Sequence, residues 1–185
     1  DGFGEELGTF TEELSNIFVL QEKLAHAVVA KLTKREPTTV YVVGTRNPEA
    51  YDLYLRGRSL QTGGLTPAAG EDMVKTFEKV VALDPNYALA WARLSQAYSR
   101  MRFGGRDTSA KNAADARNAA ATALRLAPNL AEAHLAMARM HYTYDSDLDA
   151  TERELDAVDR LGPNDAEALA LRAAVKRARG HRGEE

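Results

Sequence analysis

The stretch LDPNYALAW at 83–91 decides how this chain is organised, because two later stretches repeat it. LAPNLAEAH at 126–134 and LGPNDAEAL at 161–169 keep its leucine, proline, asparagine and two alanines at the same offsets. The three prolines are 43 and 35 residues apart. Self-similarity with a period of roughly 20 to 50 residues is typical of stacked arrays of small structural units, so the sequence predicts a repeat protein.

A helix is predicted before each of these prolines, since apolar or small residues precede the proline at steps of four, three and five. Steps of four and three place side chains on one helical face. A proline five residues later ends the helix, because it has no N–H and clashes with the preceding turn. An asparagine follows each proline and is predicted to cap the next helix. The residues on the three predicted faces are Met73, Phe77 and Val80, then Ala116, Ala120 and Ala123, then Thr151, Leu155 and Val158.

A second helix is predicted after each proline. In the second unit Trp91, Leu94, Ser95 and Tyr98 stand at i, i+3, i+4 and i+7, which is one helical face. Each unit is therefore a pair of antiparallel helices, called here helix A and helix B, with complementary small and large positions. The matching residues of the third unit are His134, Met137, Ala138 and His141.

This helix A pattern, followed by helix B and a closing proline, resembles the tetratricopeptide repeat (TPR), a helix–turn–helix unit of about 34 residues. The resemblance covers roughly 46–179 and implies an all-α fold. The implied architecture is a TPR-type superhelix, a right-handed solenoid of antiparallel helix pairs, preceded by one N-terminal helix. A plain helical bundle, in which the matching spacings would be coincidental, is the alternative.

Two regions are predicted. Residues 1–45 would form the N-terminal amphipathic helix and a linker, as the tail of an upstream domain, and 46–185 would form the TPR array. A final helix is expected because a stack needs a cover over its last apolar face. The predicted repeats are 46–85, 86–128 and 129–163, followed by a capping helix at 164–180.

The N-terminal helix is predicted over 9–32, where Thr9 and Glu12 fit a capping box and apolar residues follow helical spacing. Its sequence NIFVLQEKLAHAVVAKL and, after a linker, NPEAYDLYLRGR at 47–58 resemble a segment of multidomain bacterial signalling and transcription regulators. That resemblance implies an upstream effector, which is a class III adenylyl cyclase, a winged-helix DNA-binding domain or a serine/threonine kinase in such proteins.

Composition excludes several kinds of protein. The chain has 185 residues, a net charge of −3 and no cysteine, so it has no disulfide and no thiolate chemistry. The acidic balance favours neither nucleic acid nor an anionic membrane as partner, and no run of about 18 apolar residues predicts a membrane segment. A cysteine-free chain fits the cytoplasm and leaves a periplasmic location open.

No stretch of the sequence calls for catalysis, a metal or a cofactor. DSDLD at 145–149 resembles the start of a calcium loop, but Ala150 stands where the loop needs glycine, so we interpret it as a turn with an aspartate capping helix B. His134 and His141 share a helical face but lack a third ligand, which favours packing. The basic residues from Arg172 to Arg182 suit a helix C-terminus better than a phosphate.

The predicted function is a non-catalytic scaffold for protein–protein interaction, within a larger bacterial regulator. The TPR resemblance implies that the A helices line a concave groove that binds a peptide or helix of another protein. Because arginine pairs well with carboxylates, an acidic partner is expected. Ala92 and Gln96 stand where carboxylate-clamping family members have lysine and asparagine. The alternative is a homodimer formed through the N-terminal helix or the repeat edges. The predicted groove residues are Arg56, Arg93, Gln96, Arg100, Arg139, Tyr142 and Arg177.

Overall fold

The described part of the chain is built from helices. A computed structural model describes residues 44–62, 67–103, 105, 107–162 and 165–182, and within these ranges it has seven α-helices and no strand. The predicted all-α fold is therefore confirmed, while the helix predicted over 9–32 lies outside the described residues. The helices are α1 (Pro48–Thr62), α2 (Pro67–Leu83), α3 (Ala88–Phe103), α4 (Ala110–Leu126), α5 (Ala131–Met140), α6 (Leu148–Leu161) and α7 (Ala166–Arg182).

The helices pack in sequential pairs. Helix α1 packs on α2, α3 on α4 and α5 on α6, and each pair packs on the next through α2–α3, α3–α5 and α4–α5 contacts. Helix α7 follows as an unpaired helix that contacts α6 and, less extensively, α5. Contacts between neighbouring pairs are the pattern of a solenoid, in which each unit buries its apolar faces against the units beside it.

The helix B faces predicted from the sequence form the core. All nine residues predicted at steps of four and three are buried, with Phe77, Ala120 and Leu155 at 0% exposure. Helices α2, α4 and α6 each end two residues before the proline of the repeated phrase, as predicted. The core of the described residues consists of three clusters in succession, centred on α1–α3, α3–α5 and α5–α7, rather than one central core.

Trp91 and His134 occupy equivalent positions in successive units. The Trp91 Nε1–H donates to the Pro85 carbonyl oxygen at 2.8 Å, and His134 Nε2 lies 2.9 Å from the Pro128 carbonyl oxygen. Each side chain thus reaches back six residues to the proline of its own phrase. His134 Nδ1 also lies 2.7 Å from Glu154 Oε2 on α6, which ties helix A to helix B. The two rings therefore hold the start of helix A through the same contact with the proline carbonyl. This agrees with a packing role for His134.

Small residues of helix A allow close approach of helix B. A Cβ added to Gly57 on α1 would lie 2.7 Å from the Phe77 ring of α2. In the second unit Ser95 is buried and its hydroxyl donates to the Ala116 carbonyl oxygen at 2.8 Å. Small-to-large complementarity therefore operates within both pairs.

The prediction that asparagine caps each helix after the phrase is wrong for α5. Helix α5 begins after buried Leu130, and no side-chain hydrogen bond caps it. The aspartate Asp165 caps α7 by accepting from the Ala168 N–H at 2.8 Å. A buried apolar side chain takes the place of a polar cap at the start of α5. The burial of Leu130 in the core fixes the direction in which the backbone enters the helix. Asp147, in the acidic stretch, accepts from the Ala150 N–H and caps α6, as predicted.

A π-helical turn over His141–Asp145 extends α5, and Ser146 ends it in the left-handed region at φ 51°. The turn is held against the second unit by Tyr144. Its hydroxyl donates to Asn112 Oδ1 on α4, and the guanidinium of Arg102 lies 5.2 Å from its ring centroid. These contacts give the extended turn a structural role between the second and third units.

Candidate functional site

The face formed by helices α1, α3, α5 and α7 carries a group of cations. Arg93 and Arg100 stand seven residues apart on α3, with Gln96 between them, so the three side chains lie on one side of that helix. Arg139 comes from α5, which packs directly on α3. The positive charges of Arg93 and Arg100 each lower the pKa of Arg139. We call Arg93, Arg100 and Arg139 the arginine cluster.

Gln96 is buried inside this group with a fixed orientation. It is 3% exposed, and its Oε1 accepts a hydrogen bond from Arg93 Nη1 at 3.0 Å. Because guanidinium nitrogens only donate, the amide oxygen must face Arg93 and the Nε2 donor must point elsewhere. Neither Gln96 Nε2 nor Arg93 Nε has an acceptor among the described residues, although both atoms are buried. The site thus holds two donors that are buried and have no hydrogen-bond partner among the described residues.

The charge of Arg139 is unfavourably placed. Burial lowers the pKa of Arg139 below its ordinary value. Glu167 opposes this shift, while the positive charges of Arg100 and Arg93 add to it. Arginine stays charged at neutral pH despite such a shift. The lowered pKa of Arg139 thus reflects burial first and the neighbouring arginines second, and a further anion at this place would oppose both effects.

Glu167, in the first turn of α7, faces the cluster, and Asp165 just before that helix also raises the pKa of Arg139. Glu167 Oε1 lies 3.9 Å from Arg93 Nη1 and its Oε2 lies 3.6 Å from Arg139 Nη2. Both distances are longer than a hydrogen bond, so attraction between separated charges accounts for these two contacts. The Glu167 side chain is 39% exposed.

Tyr54 extends the site to α1. Burial raises the pKa of the Tyr54 hydroxyl, and the guanidinium of Arg93 offsets part of that rise. Tyr54 is 3% exposed and packs edge-on against Phe77, so its hydroxyl is held in place. The polar groups of the site therefore come from all four of the helices on this face.

Four of the seven predicted groove residues meet at this site, namely Arg93, Gln96, Arg100 and Arg139. The other three lie apart from it in the contacts that the described residues make. Arg56 is exposed on α1 and Arg177 is exposed on α7. Tyr142 is half-buried and packs against the third core cluster.

Sequence reasoning missed Glu167 and Tyr54. The signal for Glu167 was present, because Glu132 and Glu167 stand at the same offset in two copies of the repeated phrase. Helix A in the third unit and α7 thus both begin with a glutamate in the first turn. The carboxylate of Glu132, on α5, raises the pKa of Tyr54. The carboxylate of Glu167, one helix pair later on α7, raises the pKa of Arg139.

The basic end of the chain is engaged in ion pairs with α6. Arg172 donates to Glu152, Asp156 and Asp159 at 2.5 to 3.1 Å, and Arg179 donates to Asp149 at 2.6 Å. These bonds, together with buried Ala168, Leu171 and Val175, attach α7 to α6.

The described part of the chain offers no other binding chemistry. Within it, no group of three or more histidine and acidic side chains is placed to hold a metal ion. Nor does any helix there combine the length and the apolar character needed to cross a bilayer.

Comparison with solved structures identifies the fold. One matching structure is "First TPR of Spaghetti (RPAP3) bound to HSP90 peptide SRMEEVD", with a TM-score of 0.54 and 18% sequence identity over 71% of this chain and 95% of that chain. No family model and no curated protein matches the chain. The structural match confirms the predicted TPR-type helical solenoid. In a solenoid of this type the first helices of the pairs line the concave side, and α3 and α5, which carry the arginine cluster, are two such helices.

Proposed function

We propose that this chain is a non-catalytic scaffold that binds a segment of another protein on the face of α1, α3, α5 and α7. A carboxylate of that segment would lie at the arginine cluster. The observation that carries the proposal is the arginine cluster itself, in which Arg93, Arg100 and Arg139 stand close together beside two buried donors, Arg93 Nε and Gln96 Nε2. The proposed binding module is 46–185, with the three repeats and the final helix expected from the sequence.

The chemistry of the donors favours a carboxylate. A buried donor without an acceptor costs about 1–3 kcal/mol, and a ligand oxygen recovers that cost when neighbouring side chains move to admit it. An ionised acceptor forms stronger hydrogen bonds than a neutral one, and guanidinium groups match a carboxylate with paired donors. Arg93 and Arg139 already attract one carboxylate, that of Glu167, to this place. A carboxylate thus satisfies both the donors and the charge, whereas a neutral acceptor satisfies only the donors.

The solved structure supports a peptide as partner by analogy. It holds the peptide SRMEEVD, which carries two glutamates and a C-terminal aspartate. In this chain Ala92 stands where carboxylate-clamping proteins of this fold have a lysine, so arginines would supply the positive charge here. We therefore expect an acidic segment, bound through arginine and glutamine donors.

We further propose that the chain belongs to a larger bacterial regulatory protein and works in the cytoplasm. The support is the sequence resemblance of NIFVLQEKLAHAVVAKL and NPEAYDLYLRGR to segments of such regulators. The reading frame upstream of Asp1 tests this proposal. An upstream cyclase, winged-helix or kinase domain is expected, and an unrelated upstream sequence would contradict it.

Selection of peptides tests the proposed binding. Heptapeptides with random sequences and free C-termini are displayed and selected on the purified chain. We expect enrichment of aspartate and glutamate, and loss of the enrichment in the Arg93→Gln variant. Arg160→Gln on α6 is the matched control, since Arg160 is exposed on a B helix. A selection that enriches basic or purely apolar peptides, or one that Arg93→Gln leaves unchanged, contradicts the proposal.

Self-association is a second candidate function, because leucines are exposed at both ends of the array. Leu55 on α1 is 43% exposed, and Leu169 on α7 is 55% exposed. Such residues could contact a second copy of the chain. Light scattering after gel filtration decides the matter: a mass of about 20.2 kDa at every concentration removes this candidate, and a mass twice as large supports it.

A further inference from the structure

We propose that Glu167 occupies the place of the partner's carboxylate in the unbound chain, so that the first turn of α7 competes with the partner for the arginine cluster. This inference rests on the proposed function and adds a built-in control of affinity to it. The observation behind it is the position of the Glu167 carboxylate between Arg93 on α3 and Arg139 on α5.

The contacts of Glu167 with the two arginines are loose in comparison with other ion pairs of the same helix. Its carboxylate oxygens lie 3.6 and 3.9 Å from the guanidinium nitrogens, whereas Arg172 and Arg179 on α7 hold their acidic partners at 2.5 and 2.6 Å. The Arg93 Nε and Gln96 Nε2 donors also stay unsatisfied with Glu167 in place. Glu167 therefore supplies charge to the cluster but does not satisfy these buried donors.

An incoming carboxylate would compete directly with Glu167. Two carboxylates in one site repel each other, so the partner's carboxylate binds best when Glu167 moves away. The side chain can leave without movement of α7, because that helix is attached to α6 through Arg172, Arg179 and its buried apolar residues. Glu167 lies in the first turn of α7, where free N–H groups and the helix dipole favour a negative charge. The displaced carboxylate would remain near this helix start, where Asp165 already accepts from the Ala168 N–H.

Glu132 provides a comparison for Glu167 within the same chain. Glu132 stands at the same offset of the repeated phrase, on the same face, one helix pair earlier. Its carboxylate acts on Tyr54 and has no ion pair with the cluster among the described contacts. Replacing Glu132 removes the same negative charge from the same face, so Glu132 controls for long-range electrostatic effects.

Binding of the fluorescein-labelled peptide SRMEEVD, followed by fluorescence anisotropy, tests the inference. We expect Glu167→Gln to lower the Kd by about two- to fivefold, the upper part of the range for a partly exposed ion pair. Glu132→Gln should change the Kd by less than about twofold. The gain from Glu167→Gln should shrink at high salt, because screening weakens the competing attraction. Thermal unfolding of each variant verifies that it is folded.

The outcomes separate this inference from the proposed function. An unchanged or higher Kd for Glu167→Gln, with binding still lost in Arg93→Gln, overturns the inference and leaves the proposed function standing. Equal effects of Glu167→Gln and Glu132→Gln also overturn it, since they would reflect general electrostatics. Binding that Arg93→Gln leaves unchanged, or no binding by any variant at about 1 mM peptide, contradicts the proposed function and the inference together.

Discussion

Replacing Gly57 by alanine should destabilise the fold, although alanine is the better helix former. The added Cβ would lie 2.7, 2.9 and 3.1 Å from three carbons of the Phe77 ring, where ordinary contacts are 3.4–4 Å. Phe77 is 0% exposed, so its ring has no solvent space into which it can move. Relief of the closest contact requires a shift of about 0.7 Å in a close-packed interior.

The magnitude follows from two opposing terms. Overpacking of a core costs about 1–3 kcal/mol, and the change from glycine to alanine inside a helix gains about 1 kcal/mol. Because the clash involves three carbons of a fully buried ring, the cost should lie in the upper half of that range, about 2–3 kcal/mol. The net loss is then about 1–2 kcal/mol, which lowers the Tm by roughly 2–8 °C for a domain of this size. The assay is urea and thermal unfolding followed by circular dichroism at 222 nm.

Two further variants provide a control for this prediction and a test of its physical cause. Gly180→Ala on α7 meets nothing within 4 Å, so it should be neutral or slightly stabilising. In the Gly57→Ala, Phe77→Leu double variant the new methyl group occupies space that the ring has left. The double variant should then be more stable than the sum of the two single effects, by about 1 kcal/mol. A Gly57→Ala protein as stable as the parent, or additive effects in the double variant, would refute the close-packing argument.

Three other changes test the contacts that build the solenoid. Trp91→Phe keeps a smaller aromatic ring and removes the hydrogen bond to the Pro85 carbonyl, so unfolding in urea should show a loss of at least about 1 kcal/mol. Arg172→Met should loosen α7 from α6, seen as faster amide exchange in α7, with a smaller effect at high salt. Asp147→Ala should lower the Tm at neutral pH. Because the Ala150 N–H lowers the pKa of Asp147, this difference between variant and parent should fade as the pH falls through that lowered pKa.

Much of the fold could be predicted because the repeated positions are local. Steps of four and three residues predict the buried faces at Phe77, Ala120 and Leu155 without knowledge of the tertiary structure. The equivalence of Trp91 and His134 also followed from their offset to the prolines. Local patterns did not reveal the apolar entry into α5 at Leu130, since burial of that residue depends on packing between units.

The candidate site was predictable in part for the same reason. Arg93, Gln96 and Arg100 lie on one side of a single helix, so their spacing is enough to place them together. The contact of Glu167 with Arg93 joins residues 74 positions apart and depends on how α7 stacks beside α5. The buried donors could not be found from sequence either, because burial and hydrogen bonding are properties of the assembled fold.

The most direct test of the central claim is an NMR measurement on the arginine Nε–H and glutamine Nε2–H groups during titration with an acidic peptide obtained by selection. The account predicts that the signals of Arg93 Nε–H and Gln96 Nε2–H shift and exchange more slowly with water, as hydrogen bonds to a carboxylate form. The signals of Arg125 and Arg160, on the B helices, should stay unchanged. Binding with unperturbed Arg93 and Gln96 signals, or with changes confined to the B helices, would contradict the account.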